Sequence, residues 1–394
     1  MRPLAGRRIW FVGIGGAGLS AYAQLARAWG AEVGGWDRAE TPYLRALAEV
    51  EVRISAAPEA PPSWEVVVST AYAGQIDGKP RADLLAELVA LRRSIVVAGA
   101  HGKTTATAMI AFCLDRLGLD PAFLVGGDVP QLGGNARAGE GWLVVEGDES
   151  DRSVAALRPE IAVLLNVDLD HHTTFGSRAE VEALFEEWLA HVPHVVRAEQ
   201  LEPYAGELAL AGVHNRSNAA AALAALELAG VARGDAERVL AEFSGAGRRL
   251  ESHGEAGGIE VLDDYAHHPA EIEATIAAVR ERGGAGRVLV LFQPHLYSRT
   301  LHLAHEFARA LATADAACIV EIYPAREEPL PGVSGKLVVQ ELSRVRPGMR
   351  IGWAPSVEDG AVVLSTWARP GDVLLTLGAG DVDRAATLLL EAAA

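Results

Sequence analysis

The run Val96-Val97-Ala98-Gly99-Ala100-His101-Gly102-Lys103-Thr104-Thr105 decides how the rest of the chain is read. A β-branched apolar run stops at one glycine, turns through a second, and passes into Lys-Thr-Thr and an alanine-rich pattern reaching about Leu117. This predicts a strand, a tight turn and a helix whose first N–H groups cradle phosphate oxygens. Gly99, His101, Gly102, Lys103, Thr104 and Thr105 are the candidate nucleotide-binding residues. Lys103 is placed to reach the terminal phosphates, and the Thr104 hydroxyl suits a Mg²⁺ shell. The first glycine of the full G-x-x-x-x-G-K-[ST] pattern is missing, because Val97 stands there, so an ordinary strand-turn-helix corner also fits.

Two later strands add polar residues at their ends. Trp142 to Val145 runs into Glu146-Gly147-Asp148-Glu149-Ser150-Asp151, and Glu146 is the candidate metal-binding acid. A solvated acidic loop is the alternative. Ile161 to Leu165 ends in Asn166-Val167-Asp168-Leu169-Asp170-His171-His172, which makes His171 a candidate metal or phosphate ligand. Gly212-Val213-His214-Asn215-Arg216-Ser217-Asn218 precedes a helix expected over Ala219–Ala229. Asn218 either caps that helix or joins His214 and Asn215 around an adenine.

Upstream, the strand Arg8–Val12 breaks at Gly13-Ile14-Gly15-Gly16-Ala17-Gly18, with a helix expected from Leu19 to Trp29 and a strand ending at Asp37. That is the G-x-G-x-x-G layout of a Rossmann-like turn that receives a pyrophosphate, and a nicotinamide enzyme would show the same. Gly13, Gly15, Gly16, Ala17, Gly18 and Asp37 are its candidate residues. Ser69 and Thr70, at the end of the strand expected from Glu65 to Ala71, suit the same crevice. Downstream of Phe243, Gly247-Arg248-Arg249 offers two guanidiniums to phosphate. Expected strands end at Asp263-Asp264-Tyr265-Ala266-His267-His268-Pro269, at Gln293-Pro294-His295-Leu296-Tyr297-Ser298-Arg299-Thr300 and at Gly378-Ala379-Gly380-Asp381. Strands alternating with helices make the whole chain α/β with mostly parallel sheets.

Composition narrows the possibilities. At 394 residues, two or three domains are expected. A net charge of −17 argues against nucleic acid, and no apolar run approaches a membrane span. Arg7 and Arg8 lead directly into a strand rather than a signal peptide, and the two cysteines read as buried thiols of a reducing, cytoplasmic compartment. Lys79, Lys103 and Lys336 are the only lysines. Genome composition or a hot habitat would each produce that bias.

Taken in order, these motifs resemble the Mur ligase family, in the branch that joins L-alanine to UDP-N-acetylmuramate. The matching pieces run from Gly13 to Asp381 and include Asp148-Glu-Ser-Asp151, Asn166 with Asp170-His171, His214-Asn215 with Asn218, and Phe292-Gln-Pro-His295. The resemblance implies three domains: a UDP-sugar-binding Rossmann-like domain over 1–92, a central P-loop ATPase-type α/β domain over 93–242, and a C-terminal Rossmann-like domain over 243–394. It implies ATP and Mg²⁺, and an acyl phosphate that the amine of alanine displaces. Lys103 would neutralise the γ-phosphate, Thr104 and Glu146 would hold one Mg²⁺, and His171 a second. His214, Asn215 and Asn218 would lie on the adenine side. Arg248 would face phosphate, Asp264 the ribose, and Tyr265, His267 and Arg299 the alanine, with Arg299 on its carboxylate and His267 as the candidate base. Members that bind the second Mg²⁺ through a carbamylated lysine need a spare central lysine, and here only Lys103 lies in that domain.

The chain also departs from the family pattern. Ala100 replaces a threonine in the phosphate loop, Leu296 a second arginine, Trp36 a small polar residue, and Ala211 the proline before Gly212. Only residues 189–211 separate Trp188 from Gly212, so a shortened central domain with fewer strands is expected. Two other readings share the fold: a ligase for another amino acid or a peptide, and a catalytically weakened paralogue that binds nucleotide or regulates.

Overall fold

The computed structural model describes residues 2–170, 174–282, 286–325 and 327–393. It contains three sheets in two compact units. The first unit comprises residues 1–168, 177–209 and 217–244 and holds two of the sheets; the second comprises 169–176, 210–216 and 245–394 and holds the third.

In the first sheet, β1 (Arg8–Val12), β2 (Glu32–Asp37), β3 (Glu51–Ile54), β4 (Glu65–Val68) and β5 (Lys79–Pro80) lie in the order β3-β2-β1-β4-β5, all parallel. Helix α1 (Ala17–Ala28) follows the glycine turn and α2 (Arg81–Ala90) follows β5. Trp10, Val12, Trp36 and Val68 pack into a core on this sheet. Trp36 is fully buried: its Nε1 donates to Ser55 Oγ at 2.7 Å and its ring meets Tyr72 edge-on at 4.9 Å. It is a core residue, which explains why the small polar residue is absent. Lys79 and Arg7 share the carboxylates of Glu65 and Glu87.

In the second sheet, β6 (Ser94–Ala98), β7 (Ala122–Leu124), β8 (Ala136–Arg137), β9 (Leu143–Glu146), β10 (Ile161–Leu164) and β11 (His194–Arg197) take the order β11-β10-β6-β9-β7-β8. Only the short β7–β8 pair is antiparallel. Strand β6 is buried along its whole length, as its unbroken apolar run requires. Helix α3 (Lys103–Arg116) is buried from Thr104 to Leu114, which accounts for its alanine-rich, weakly amphipathic sequence. Helices α4 (Arg178–Leu189), α5 (Val213–Leu228) and α6 (Arg233–Leu240) complete this part of the chain. Helix α5 begins six residues earlier than the sequence suggested. Asn218 therefore sits inside it and does not cap it.

The third sheet is built from β12 (Glu251–Ala256), β13 (Ile259–Asp264), β14 (Val288–Phe292), β15 (Ala316–Ile319), β16 (Arg350–Trp353) and β17 (Val373–Leu377), in the order β12-β13-β17-β14-β15-β16. Only the β12–β13 hairpin, closed by Gly257-Gly258, is antiparallel. Helices α7 (Pro269–Glu281), α8 (Tyr297–Leu311) and α9 (Gly335–Val345) cover one face. Helices α10 (Val357–Ser365) and α11 (Arg384–Ala393) cover the other. Lys336 lies over the Trp353 ring at 4.0 Å.

The paired glycines of β2 are there for close packing. A Cβ on Gly35 would stand 2.6 Å from Ile14 Cδ1 and 2.7 Å from the Phe11 carbonyl oxygen. Gly35→Ala should cost about 1–3 kcal/mol by overpacking, read as a lower urea midpoint with an unchanged slope. Gly234, on α6 with nothing within 4 Å of its Cβ position, should instead tolerate alanine with no loss of stability.

Candidate active site

Parallel register brings the ends of β6, β9 and β10 to one level: Val97 pairs with Glu146 and Ala98 with Leu164. From that edge, Gly99 (φ +135°) and Gly102 (φ +83°) turn the chain into α3, whose N-cap glycine offers no side chain to its first N–H groups. Those donors are oriented for an anion. Asn166, just past β10, clamps the loop at two points. Its Oδ1 accepts from His101 N at 2.9 Å and its Nδ2 donates to His101 O at 3.0 Å. The Asn218 amide lies against Gly102, where a Cβ would come within 2.5 Å of its Oδ1. Asn218 thus belongs to the phosphate loop rather than to a helix cap.

Lys103 Nζ donates to Gly99 O at 2.6 Å and to both Glu149 oxygens at 3.1 Å. Burial opposes its charge, but Glu149, Asp148 and Glu146 outweigh it and raise the ammonium above the ordinary lysine value. Glu149 is 3% exposed and is a site residue that reading the strand-end acid alone missed. Glu146 stands at the end of β9 as expected, with Oε1 accepting from Gly126 N at 2.6 Å. Thr104 and Thr105 are buried on the first turn of α3. The Thr104 hydroxyl and the Glu146 carboxylate are oxygen donors of the kind Mg²⁺ takes. His171 lies outside the described residues.

In the first sheet, Gly13 (φ +89°) would place a Cβ 2.9 Å from that of Ser69, so the glycine turn and the end of β4 are in contact. The Asp37 carboxylate accepts from Gly15 N at 2.7 Å and from Arg38 N. This UDP-sugar candidate is buried and tied to the turn. Gly16 is the N-cap of α1 and supplies no side-chain cap, so Gly16, Ala17 and Gly18 shape an anion-facing N-terminus. Ser69 caps the short 3₁₀ turn Thr70–Tyr72. Arg81, the first residue of α2, places Nη2 2.8 Å from Asp148 and Nη1 against Gly18. A cation at a helix N-terminus opposes the helix dipole, and that was the signal of a second task.

In the second unit, the strand ends of β13, β14 and β17 are neighbours. Arg248 is spent on structure: Nε donates to Asp263 and the two terminal nitrogens to the carbonyls of Gly380 and Gly378. It was expected to face phosphate. Arg249 beside it lies over the Tyr265 ring and 3.8 Å from Glu271. The Asp264 oxygens accept from Leu250 N and Ala266 N, so this carboxylate, expected at a ribose, fixes the chain on either side of it. His267 Nδ1 is 3.1 Å from the Tyr265 carbonyl, which places its proton there and leaves the lone pair on Nε2. Arg299 is 4% exposed and bonded through Nε and Nη2 to Asp170 at 2.8 and 3.0 Å. His214 and Asn215 occupy the first turn of α5, where Asn215 Nδ2 donates to Ala211 O at 2.7 Å.

Three family models cover most of this chain. Residues 8–93 match the Mur ligase family catalytic domain, 97–198 the Mur ligase middle domain, and 248–380 the Mur ligase glutamate ligase domain. The chain belongs to the Mur ligase family. It is 37% identical to the UDP-N-acetylmuramate–L-alanine ligase of Streptomyces avermitilis over 99% of this chain and 98% of that one. It is 38% identical to the Rubrobacter xylanophilus enzyme of the same name, over 97% and 99%. The crystal structure of the Thermotoga maritima UDP-N-acetylmuramate–alanine ligase superposes with a TM-score of 0.79 at 26% identity, covering 98% of both chains. The Psychrobacter arcticus murein peptide ligase, at 23% identity and a TM-score of 0.66, shares the fold. The Streptomyces alignment spans 457 positions against 394 residues here, so that Mur ligase has segments this one lacks.

Two buried groups of this Mur ligase titrate in opposite senses. Burial, aided by Arg299, pushes His267 down to about 4 against an opposing Glu271. Burial pushes Asp264 up to about 6 despite Arg249 and two N–H donors. Relative to the unfolded value of 6.5, His267 contributes fully above that pH and less as pH falls toward 4. Asp264 contributes fully below 3.8, and its contribution is lost as pH rises through about 6. In urea melts, His267→Gln should therefore gain stability between pH 6 and 4, and Asp264→Asn should lose it. Each change should amount to about 2 kcal/mol over that window.

Proposed function

We propose that this chain joins L-alanine to the carboxylate of UDP-N-acetylmuramate at the expense of ATP, a step of peptidoglycan precursor synthesis. The observation that carries this reading is a clamped phosphate loop, with a buried, protonated Lys103, in a chain that matches the alanine-adding ligases along its whole length. The three sheets correspond to UDP-sugar, ATP and amino-acid domains, over 1–92, 93–242 and 243–394. Two buried free thiols and the nucleotide substrates fit the cytoplasm.

In this reading the carboxylate oxygen of the sugar attacks the γ-phosphorus, ADP leaves, and the alanine amine displaces phosphate from the acyl carbon. Catalysis is placement and charge neutralisation. Lys103 and the N–H groups of α3 hold the transferring phosphoryl group, with Asn166 keeping the loop in shape. Thr104 and Glu146 would hold one Mg²⁺, which shields phosphate charge, and His171 is the candidate ligand of a second. Gly13 to Gly18 with Arg81 receive the UDP diphosphate, and Ser69 and Thr70 line the same crevice. His214, Asn215 and Asn218 remain the adenine-side candidates. Arg249 replaces Arg248 as the guanidinium for phosphate. Tyr265, His267 and Arg299 form the amino-acid side. With its proton affinity near pH 4, His267 is too weak to deprotonate an ammonium and instead accepts a hydrogen bond from it.

Phosphate release should require both UDP-N-acetylmuramate and L-alanine. Equally fast hydrolysis without the sugar would remove the ligase reading and leave a nucleotide-binding paralogue. Lys103→Ala should lower kcat at least 100-fold, about 3 kcal/mol. Because it strands Glu149, it should also lower Tm, and Glu149→Gln in that background should recover Tm but not turnover. Bicarbonate should leave turnover unchanged, since no central lysine is available for carbamylation.

A further inference from the structure

The Arg299–Asp170 pair joins the start of α8 to residues 169–176 within the second unit. Both side chains are buried, at 4% and 6% exposure. A guanidinium has five N–H donors in a fixed plane. Asp170 takes one on Nε and one on Nη2, and His295 Nδ1, at 3.0 Å from Nη1, can only accept and takes a third. Among the described residues, one N–H on each terminal nitrogen is left over. Two parallel donors on adjacent nitrogens fit a carboxylate.

His295 is itself held firmly. Its ring stacks on Tyr323 at 5.8 Å and meets His267 edge-on at the same distance. The next residue, Leu296, has φ +71° and ψ 134°, a strained conformation for a branched side chain. Its N donates to Tyr323 O, and its O accepts from Thr300 N and Oγ1. Arg299 is therefore fixed from two sides by groups that leave the same pair of donors uncovered.

We propose that Asp170 is the positioning residue of the amino-acid subsite: it grips one edge of Arg299 so that the remaining N–H pair meets the α-carboxylate of the incoming amino acid. This rests on the ligase reading above. Asp170 is not the ligand's competitor in this arrangement, because it uses Nε, which the second carboxylate does not need. It also makes the subsite selective for a single carboxylate, since an acidic side chain would meet Asp170 rather than a free cation.

The test is steady-state phosphate release with Asp170→Asn, Asp170→Glu, Arg299→Gln and the Asp170→Asn/Arg299→Gln double variant. Asp170→Asn should raise the KM for L-alanine at least tenfold. The KM values for ATP and UDP-N-acetylmuramate, and the Mg²⁺ concentration for half-maximal rate, should stay within twofold. Asp170→Glu should recover part of the loss, and Asp170→Asn should add nothing in the Arg299→Gln background. An unchanged alanine KM overturns the proposal, as does a shifted Mg²⁺ requirement alone. A lowered alanine KM also overturns it, by making Asp170 a competitor. Should Asp170→Asn not fold, the charge-preserving Asp170→Glu carries the test, with a severalfold rise in alanine KM expected and no change overturning it. Wild-type turnover that does not need L-alanine would refute the ligase reading itself, separately from the role of Asp170.

Discussion

Parallel strand pairing is the constraint on which the rest depends. Because neighbouring strands run the same way and in register, their C-terminal ends emerge at one edge, and each hands its next residues to the same place. Gly99, Gly147 and Asn166 are brought together in this way, although they are widely separated in sequence. The third sheet repeats the arrangement with Tyr265, Gln293 and Gly378. Buried apolar strands supply the rigidity, and the irregular segments after them carry the chemistry.

Much of this is legible in the sequence. Unbroken runs such as Val288–Phe292 and Val373–Leu377 are buried on both faces, and their boundaries were read correctly. Glycines between a strand and a helix marked both anion-facing turns. What escaped was decided by tertiary contacts. Arg248 and Arg249 are adjacent and identical, and Asp263 with the carbonyls of Gly378 and Gly380 determines which is consumed by structure. In sequence, Gly212 and the polar run His214–Asn218 read as one loop, which puts the start of α5 six residues too late. In fact Gly212 (φ +98°) ends the loop, and the polar residues form the helix's opening turns. The hairpin β12–β13 lacks an apolar stripe on its first strand, where only the backbone ladder gives it away.

The departures from the family pattern have physical readings as well. Trp36 fills a core, and Ala100 contributes its carbonyl, 3.4 Å from Lys103 Nζ, which any residue could do. The loop's polar support comes from Asn166 and Asn218 instead of a local hydroxyl. After Trp188 the chain makes one more central strand, β11, before α5. That economy accords with the longer relatives.

The pairing of Lys103 with Glu149 also bears on self-damage. An acyl phosphate acylates any neutral amine within reach, and a lysine beside it is the obvious victim. Here the ammonium is kept protonated by three carboxylates, so its nitrogen has no lone pair with which to attack. The other two lysines are engaged elsewhere, Lys79 between Glu65 and Glu87 and Lys336 over Trp353. A protein built almost wholly on arginine would thus leave the proposed activated intermediate no neutral lysine amine to acylate.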